Sequence, residues 1–147
     1  MPHRIKKMRE AIAARNSAAV AETQSINPLL AELENQLRAD IAEMKSMESM
    51  QHRAFAKKYK VPKYWHHVSG IISQDQAIND NITRLMLVWS FDAMLIDEFL
   101  QIAKYMLKFN IPMPADFNTS LSSFITDSGR VMTAFEGNEQ FKAITAT

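Results

Sequence analysis

The chain has 147 residues, 47% of them hydrophobic, with 17 Lys/Arg against 16 Asp/Glu, three glycines, ten methionines and no cysteine. That length can bury the core of one ordinary domain, the lack of cysteine excludes disulfides and thiolate metal sites, and so few glycines argue against a turn-rich sheet protein. No run approaches the roughly 18 apolar residues of a spanning helix and the basic start lacks a signal-peptide core, so a cytoplasmic protein with no membrane partner is expected.

The net charge of +1 hides an asymmetry. Residues 1 to 67 hold twelve Lys/Arg and seven Asp/Glu, a net +5, while residues 68 to 147 hold five and nine, a net −4. An anionic partner is therefore expected at the N-terminal half. Residues 1–28 place Arg4, Lys6, Lys7, Arg9 and Arg15 beside one early acid, Glu10. This basic, partly mobile arm reads either as a neutraliser of phosphates or as a solvated, partly helical tail. Asn27 can cap and Pro28 suits a first helical position, which predicts one long helix over 29–60. Within it Leu30, Leu33, Leu37, Met44 and Met47 follow the alternating three and four spacing of a coiled-coil seam, with Asp40 at a core position and Ile41 beside it. A helix packed inside one domain gives a similar pattern.

Between Ser49 and Gln74 there is no acid, whereas Arg53, Lys57, Lys58, Lys60 and Lys63 accumulate with His52, His66 and His67. Contact with a DNA backbone is predicted, against the alternative of a solvated helix face. Phe55, Tyr59, Tyr64 and Trp65 interleave the cations and are expected to anchor the helix to the core, the other use of such rings being to stack on splayed bases. Pro62 is expected to break the helix, making residues 60–63 an elbow into a shorter helix over 64–73. His66 and His67 point in different directions on any regular element, so no metal site is assigned.

Ile78, Ile82, Leu85, Met86 and Trp89 form one apolar helical stripe, and a break is expected at Ser90 to Asp92. Asp92 would cap a second helix over 93–109, with Asp97 and Glu98 in its first half and Lys104 and Lys108 near its end. Its buried face would be Ile96, Phe99, Leu100, Ala103 and Leu107, and Pro112 and Pro114 stop it. Phe117, Leu121, Phe124, Ile125, Val131, Met132 and Phe135 add one more helix, with Gly129 as its weak point, completing a helical core domain over 61–136. Residues 137–147 are expected to fray. The predicted architecture is all-α: a long N-terminal helix with coiled-coil character, followed by a compact helical hairpin or bundle.

Trp65, Val68, Gly70, Ile71, Asp80, Ile82, the run Met86-Leu87-Val88-Trp89, Asp92, Ile102-Ala103-Lys104-Tyr105, Leu107-Lys108 and Met113-Pro114 resemble the small terminase subunit of peduovirus-type temperate phages. These are core and turn positions, which specify a fold and carry no chemistry themselves. Members have glycine after the aspartate that matches Asp92, where this chain has Ala93, and they continue well beyond the proline that matches Pro114. The resemblance implies assembly through helices into a ring, which tips Leu30, Leu33, Leu37, Ile41, Met44 and Met47 toward an oligomer interface. It further implies a DNA-packaging factor in the host cytoplasm that binds the cohesive-end packaging site of concatemeric double-stranded DNA. The partners implied are the large terminase ATPase subunit and, through it, the portal.

The family is also described as the endonuclease subunit of terminase, yet the residues show no catalytic constellation. Metal-assisted cleavage needs clustered carboxylates, and the densest acids, Asp92, Asp97 and Glu98, are explained by their place at a helix start. A P-loop is absent as well. No catalytic residue and no cofactor are assigned, and Mg²⁺ enters only if the chain itself cuts DNA. The alternatives kept are an endonuclease acting on the cohesive-end site and a helical adaptor that binds only protein.

Overall fold

The computed structural model describes residues 28–136, so the expectations for the basic arm and the frayed tail lie outside the described residues. Five helices occupy them: α1 (Pro28–Lys45), α2 (Met50–Ser73), α3 (Asn81–Asp92), α4 (Ile96–Phe109) and α5 (Leu121–Glu136), with no strand among the described residues. The fold is all-α. The chain divides into two compact units, Met1–Ile41 and Ala42–Thr147. In the described part of the first, Leu37 and Asp40 are buried, and the Arg38 guanidinium donates to the Asn35 side chain one turn earlier.

The second unit begins with a break that the sequence reading ran through. The helix expected over 29–60 ends at Lys45, and a new one starts at Met50. Two serines explain it. The Ser46 hydroxyl donates to the Glu43 carbonyl at 2.6 Å, and extended Ser49 accepts from the N–H groups of Gln51 and His52 at 3.2 and 3.3 Å, satisfying donors that a helix start leaves free. Arg53 then donates to the carbonyls of Met47 and Glu48, which fixes the corner.

Pro62 also corrects an expectation, because it lies inside α2 and does not end it. Proline removes the hydrogen bond to the carbonyl four residues back, here that of Lys58. Lys58 and Pro62 are both exposed, so the proline is accommodated on the solvent side of the helix and not in its packed face.

α2 packs along α3, α3 along α4, and α5 against α4. Ile82, Met86 and Trp89 of α3 and Phe99, Leu100 and Ala103 of α4 are buried, as the hairpin pattern predicts, and Leu87, Ile102 and Met106 join them. Leu85, Ile96 and Leu107 are only half-buried, and Ile78, also half-buried, precedes α3. Tyr64 of α2 meets Trp89 edge to face at 6.2 Å, and Phe91, Phe99 and Phe124 join α3, α4 and α5 with ring centroids 5.8 to 6.3 Å apart. The Tyr105 hydroxyl donates to the Gln76 carbonyl at 2.6 Å and accepts from the Ile78 N–H at 3.0 Å, pinning the α2–α3 loop.

The turn between α3 and α4 falls later than expected, over Ala93 to Leu95. Met94 is left-handed at φ 56°, its N–H reaches the Phe91 carbonyl, and the Leu95 N–H reaches the Ser90 carbonyl at 2.8 Å. This is a Schellman stop with methionine at the position glycine usually takes. Asp92 consequently closes α3 and does not cap α4, whose N-cap, Leu95, makes no side-chain hydrogen bond. Asn110, at φ 53°, ends α4 in the same way, the Ile111 N–H reaching the Met106 carbonyl at 2.9 Å. In α5, which runs through Gly129, Ile125 and Met132 are buried and Val131, expected in the core, is 50% exposed; Phe117, expected in the same helix, precedes it and is 36% exposed.

Candidate nucleic-acid interface

α2 is 24 residues long and carries every basic residue of the acid-free interval. Helical phase divides them between two faces. Arg53, Lys57, Lys60 and Tyr64 recur at four, seven and eleven residues from the first, which stacks them on one side. That side faces the protein. Beside the Arg53 contacts already described, the Lys57 ammonium pairs with Asp92 at 2.5 Å and that of Lys60 with Glu43 at 2.7 Å. The Lys60 side chain is only 11% exposed. Three of the five α2 cations expected on DNA are thus held internally, because helical phase puts them on the face that packs against the protein. Arg53, Lys57 and Asp92, with Met50 and Ala54, also line a cavity of about 160 Å³.

The opposite face carries His52, Phe55, Lys58, Tyr59, Lys63 and His66, all exposed. Phe55 and Tyr59, expected in the core, are 62% and 64% exposed and meet edge to face at 5.0 Å. Only Tyr64 behaves as the anchor foreseen for all four rings, being fully buried. Trp65 is half-buried at the mouth of a second cavity of about 170 Å³, with Val61, Pro62, Leu95 and Glu98. The signal that separates the faces was available: Arg53, Lys57 and Lys60 share the phase of Tyr64, and Phe55 and Tyr59 share that of Lys63 and His66.

A third contact fastens α2 to α3. The Asp80 carboxylate caps α3 by accepting from the Thr83 N–H at 2.8 Å and its hydroxyl at 2.7 Å, and lies 3.0 Å from His67 Nε2. Burial alone would push the Asp80 carboxyl up, but the hydrogen bonds from His67 and Thr83, with the His67 charge, outweigh it and hold the carboxyl below its ordinary value of 3.8. Among the described residues no three His, Asp or Glu side chains gather as a metal site would require.

Of the other assigned residues, Arg4, Lys6, Lys7, Arg9 and Arg15 lie outside the described residues. On α1, Leu37 and Met44 are already buried within one chain, while Leu30, Leu33 and Ile41 are half-buried; Met47, also half-buried, lies beyond the end of α1 in the turn before α2.

Residues 34–144 match the phage small terminase subunit family. The chain belongs to that family. It is 30% identical over 78 residues to the terminase, endonuclease subunit of Escherichia phage P2, an alignment covering 53% of this chain and 32% of that protein. The chain thus spans about a third of the length of the curated relative it matches. No solved structure matches. Membership agrees with the resemblance read from Trp65, Asp80, Trp89 and Tyr105, and it supports a part in phage DNA packaging. In this family member no described helix is long and apolar enough to cross a membrane.

Proposed function

We propose that the chain is a DNA-packaging factor that binds the cohesive-end packaging site of concatemeric double-stranded DNA. It recruits the large terminase ATPase subunit, and through it the portal, in the host cytoplasm. One observation carries the reading: the solvent face of α2 presents Lys58 and Lys63 with His52 and His66 and no acid on the helix, which suits a polyanion. The basic arm, with Arg4, Lys6, Lys7, Arg9 and Arg15, adds contacts to backbone phosphates that read no bases. Leu30, Leu33 and Ile41, half-buried on α1, and Met47 just beyond it are completed by further copies in a homo-oligomeric ring. Native mass measurement counts those copies, and a monomer at working concentration would end the ring reading.

Gel shifts on cohesive-end duplex across a salt series test the DNA reading. Changing Lys58 and Lys63 to Gln together should lower the slope of log affinity against log salt by about 1.8, since each lost phosphate contact removes about 0.9. Changing Arg53, Lys57 and Lys60 to Gln should instead lower the melting temperature and leave the slope alone. An unchanged slope in the first variant would remove the outer face from DNA.

A second reading, that the chain cuts the cohesive-end site, rests on the printed name of the phage P2 relative. Full-length chain incubated with that duplex and Mg²⁺, with no large subunit, decides it by the presence or absence of strand breaks.

A further inference from the structure

We infer that the outer face of α2 is a stacking platform for single-stranded DNA, with Phe55 and Tyr59 taking unpaired bases and Lys58 and Lys63 the flanking phosphates. This rests on the DNA-binding reading above and deepens it.

The inference starts from rings in the wrong place for a core. Phe55 and Tyr59 are four residues apart on one face, about 6 Å along the helix axis, and keep 62% and 64% of their surface in water while touching each other edge to face at 5.0 Å. Exposed rings of this size cost free energy unless something covers them, and two adjacent ones are not the scattered apolar residues that every surface carries. Their surroundings select the occupant. His52, Lys58, Lys63 and His66 flank the pair, all exposed, and no acid stands between Glu48 and Asp75 in the chain. A second copy docking through this same face would set lysine against lysine, whereas a polyanion meets complementary charge. Among polyanions, a duplex keeps its bases stacked on one another and offers groove edges and phosphates, which use the lysines and leave the rings idle. A single strand offers both phosphates and open base faces, and every base has a face to stack, so the match needs no particular sequence.

The distinguishing consequence is that the rings matter for single strands and not for duplex. Fluorescence polarisation of full-length chain with a labelled 20-nucleotide oligothymidylate and with a 20-bp duplex should show it. Phe55→Leu with Tyr59→Leu should weaken oligothymidylate binding about 5- to 150-fold per stacked base and change duplex binding less than about twofold. Tyr59→Phe, which keeps the ring, should bind oligothymidylate as the unaltered chain does. Both positions being exposed, the melting temperature and native mass should not move.

Equal losses on both DNAs, or none on either, would overturn the platform. So would a changed native mass with unchanged DNA affinity, which would make the face a protein contact. If the unaltered chain binds duplex and not oligothymidylate, the platform falls and the packaging reading stands; if it binds neither, both fall.

Discussion

Replacing Asp80 should separate the two jobs its carboxylate performs. With its side chain 13% exposed, it caps α3 through Thr83 and meets His67 of α2 at 3.0 Å. Asp80→Ala removes the cap, worth about 0.5 to 2 kcal/mol, and leaves the Thr83 hydroxyl and the His67 ring short of a partner in a largely buried site, about 1 to 3 kcal/mol more. The sum, roughly 1.5 to 5 kcal/mol, corresponds at this size to a fall of about 6 to 20 °C in melting temperature. Asp80→Asn keeps an oxygen for the cap and removes the charge, so it should cost less than half as much. The depressed carboxyl sets the pH dependence. A group whose folded value lies below its unfolded one stabilises the fold above the unfolded value, and that stability is lost as pH falls through the folded value. The gap between the unaltered chain and Asp80→Asn should therefore be full at pH 6 and close below 3.8. Urea unfolding at both pH values measures it. A gap that persists undiminished at pH 2 would mean the carboxylate's charge contributes nothing, and the clasp is neutral hydrogen bonding alone.

Trp89→Ala should cost about 3 to 5 kcal/mol by calorimetry, since the ring is 4% exposed and closes on Tyr64; an unchanged melting temperature would contradict that packing. Met94→Gly should be neutral or stabilising and Met94→Val destabilising by over about 1 kcal/mol, because φ is 56° there; a more stable valine variant would refute the left-handed turn. Asp92→Asn should lower stability by about 1 to 2 kcal/mol, between the surface and buried limits for an ion pair, as its side chain is 31% exposed and that of Lys57 17%. If Asp92→Asn leaves urea unfolding unchanged, the pair is only an exposed contact.

Elements were legible where period and burial agree. Ile82, Met86 and Trp89 on α3, and Phe99, Leu100 and Ala103 on α4, read as helix faces because each stripe is buried on one side. Boundaries were less legible because α2, α3 and α4 stop without glycine. Asp75, Met94 and Asn110 take the left-handed positions after α2, α3 and α4, at φ 50°, 56° and 53°. Of the three only Asn110 announces itself, by residue type and by Pro112 after it. Met94 carries no turn signal, so the visible acid, Asp92, drew the break three residues early. Ser49 carried one, but breaker-free composition around it suggested continuity.

The site was half legible for a different reason. Composition finds a basic interval, and an interval on a helix has two faces whose fates are opposite. The inner cations of α2 neutralise Asp92 and Glu43 and tie off the carbonyls of Met47 and Glu48, contacts that fix how the helix sits. Their stability role needs burial; a phosphate contact needs exposure, so one lysine cannot serve both in the same state. Lys58 and Lys63 meet the second requirement, and Phe55 and Tyr59 come with them because they share the phase. The division makes the two functions separable by mutation. Inner substitutions should act on unfolding and outer ones on salt dependence and strandedness, and crossing of those effects would mean that α2 turns about its axis when it binds.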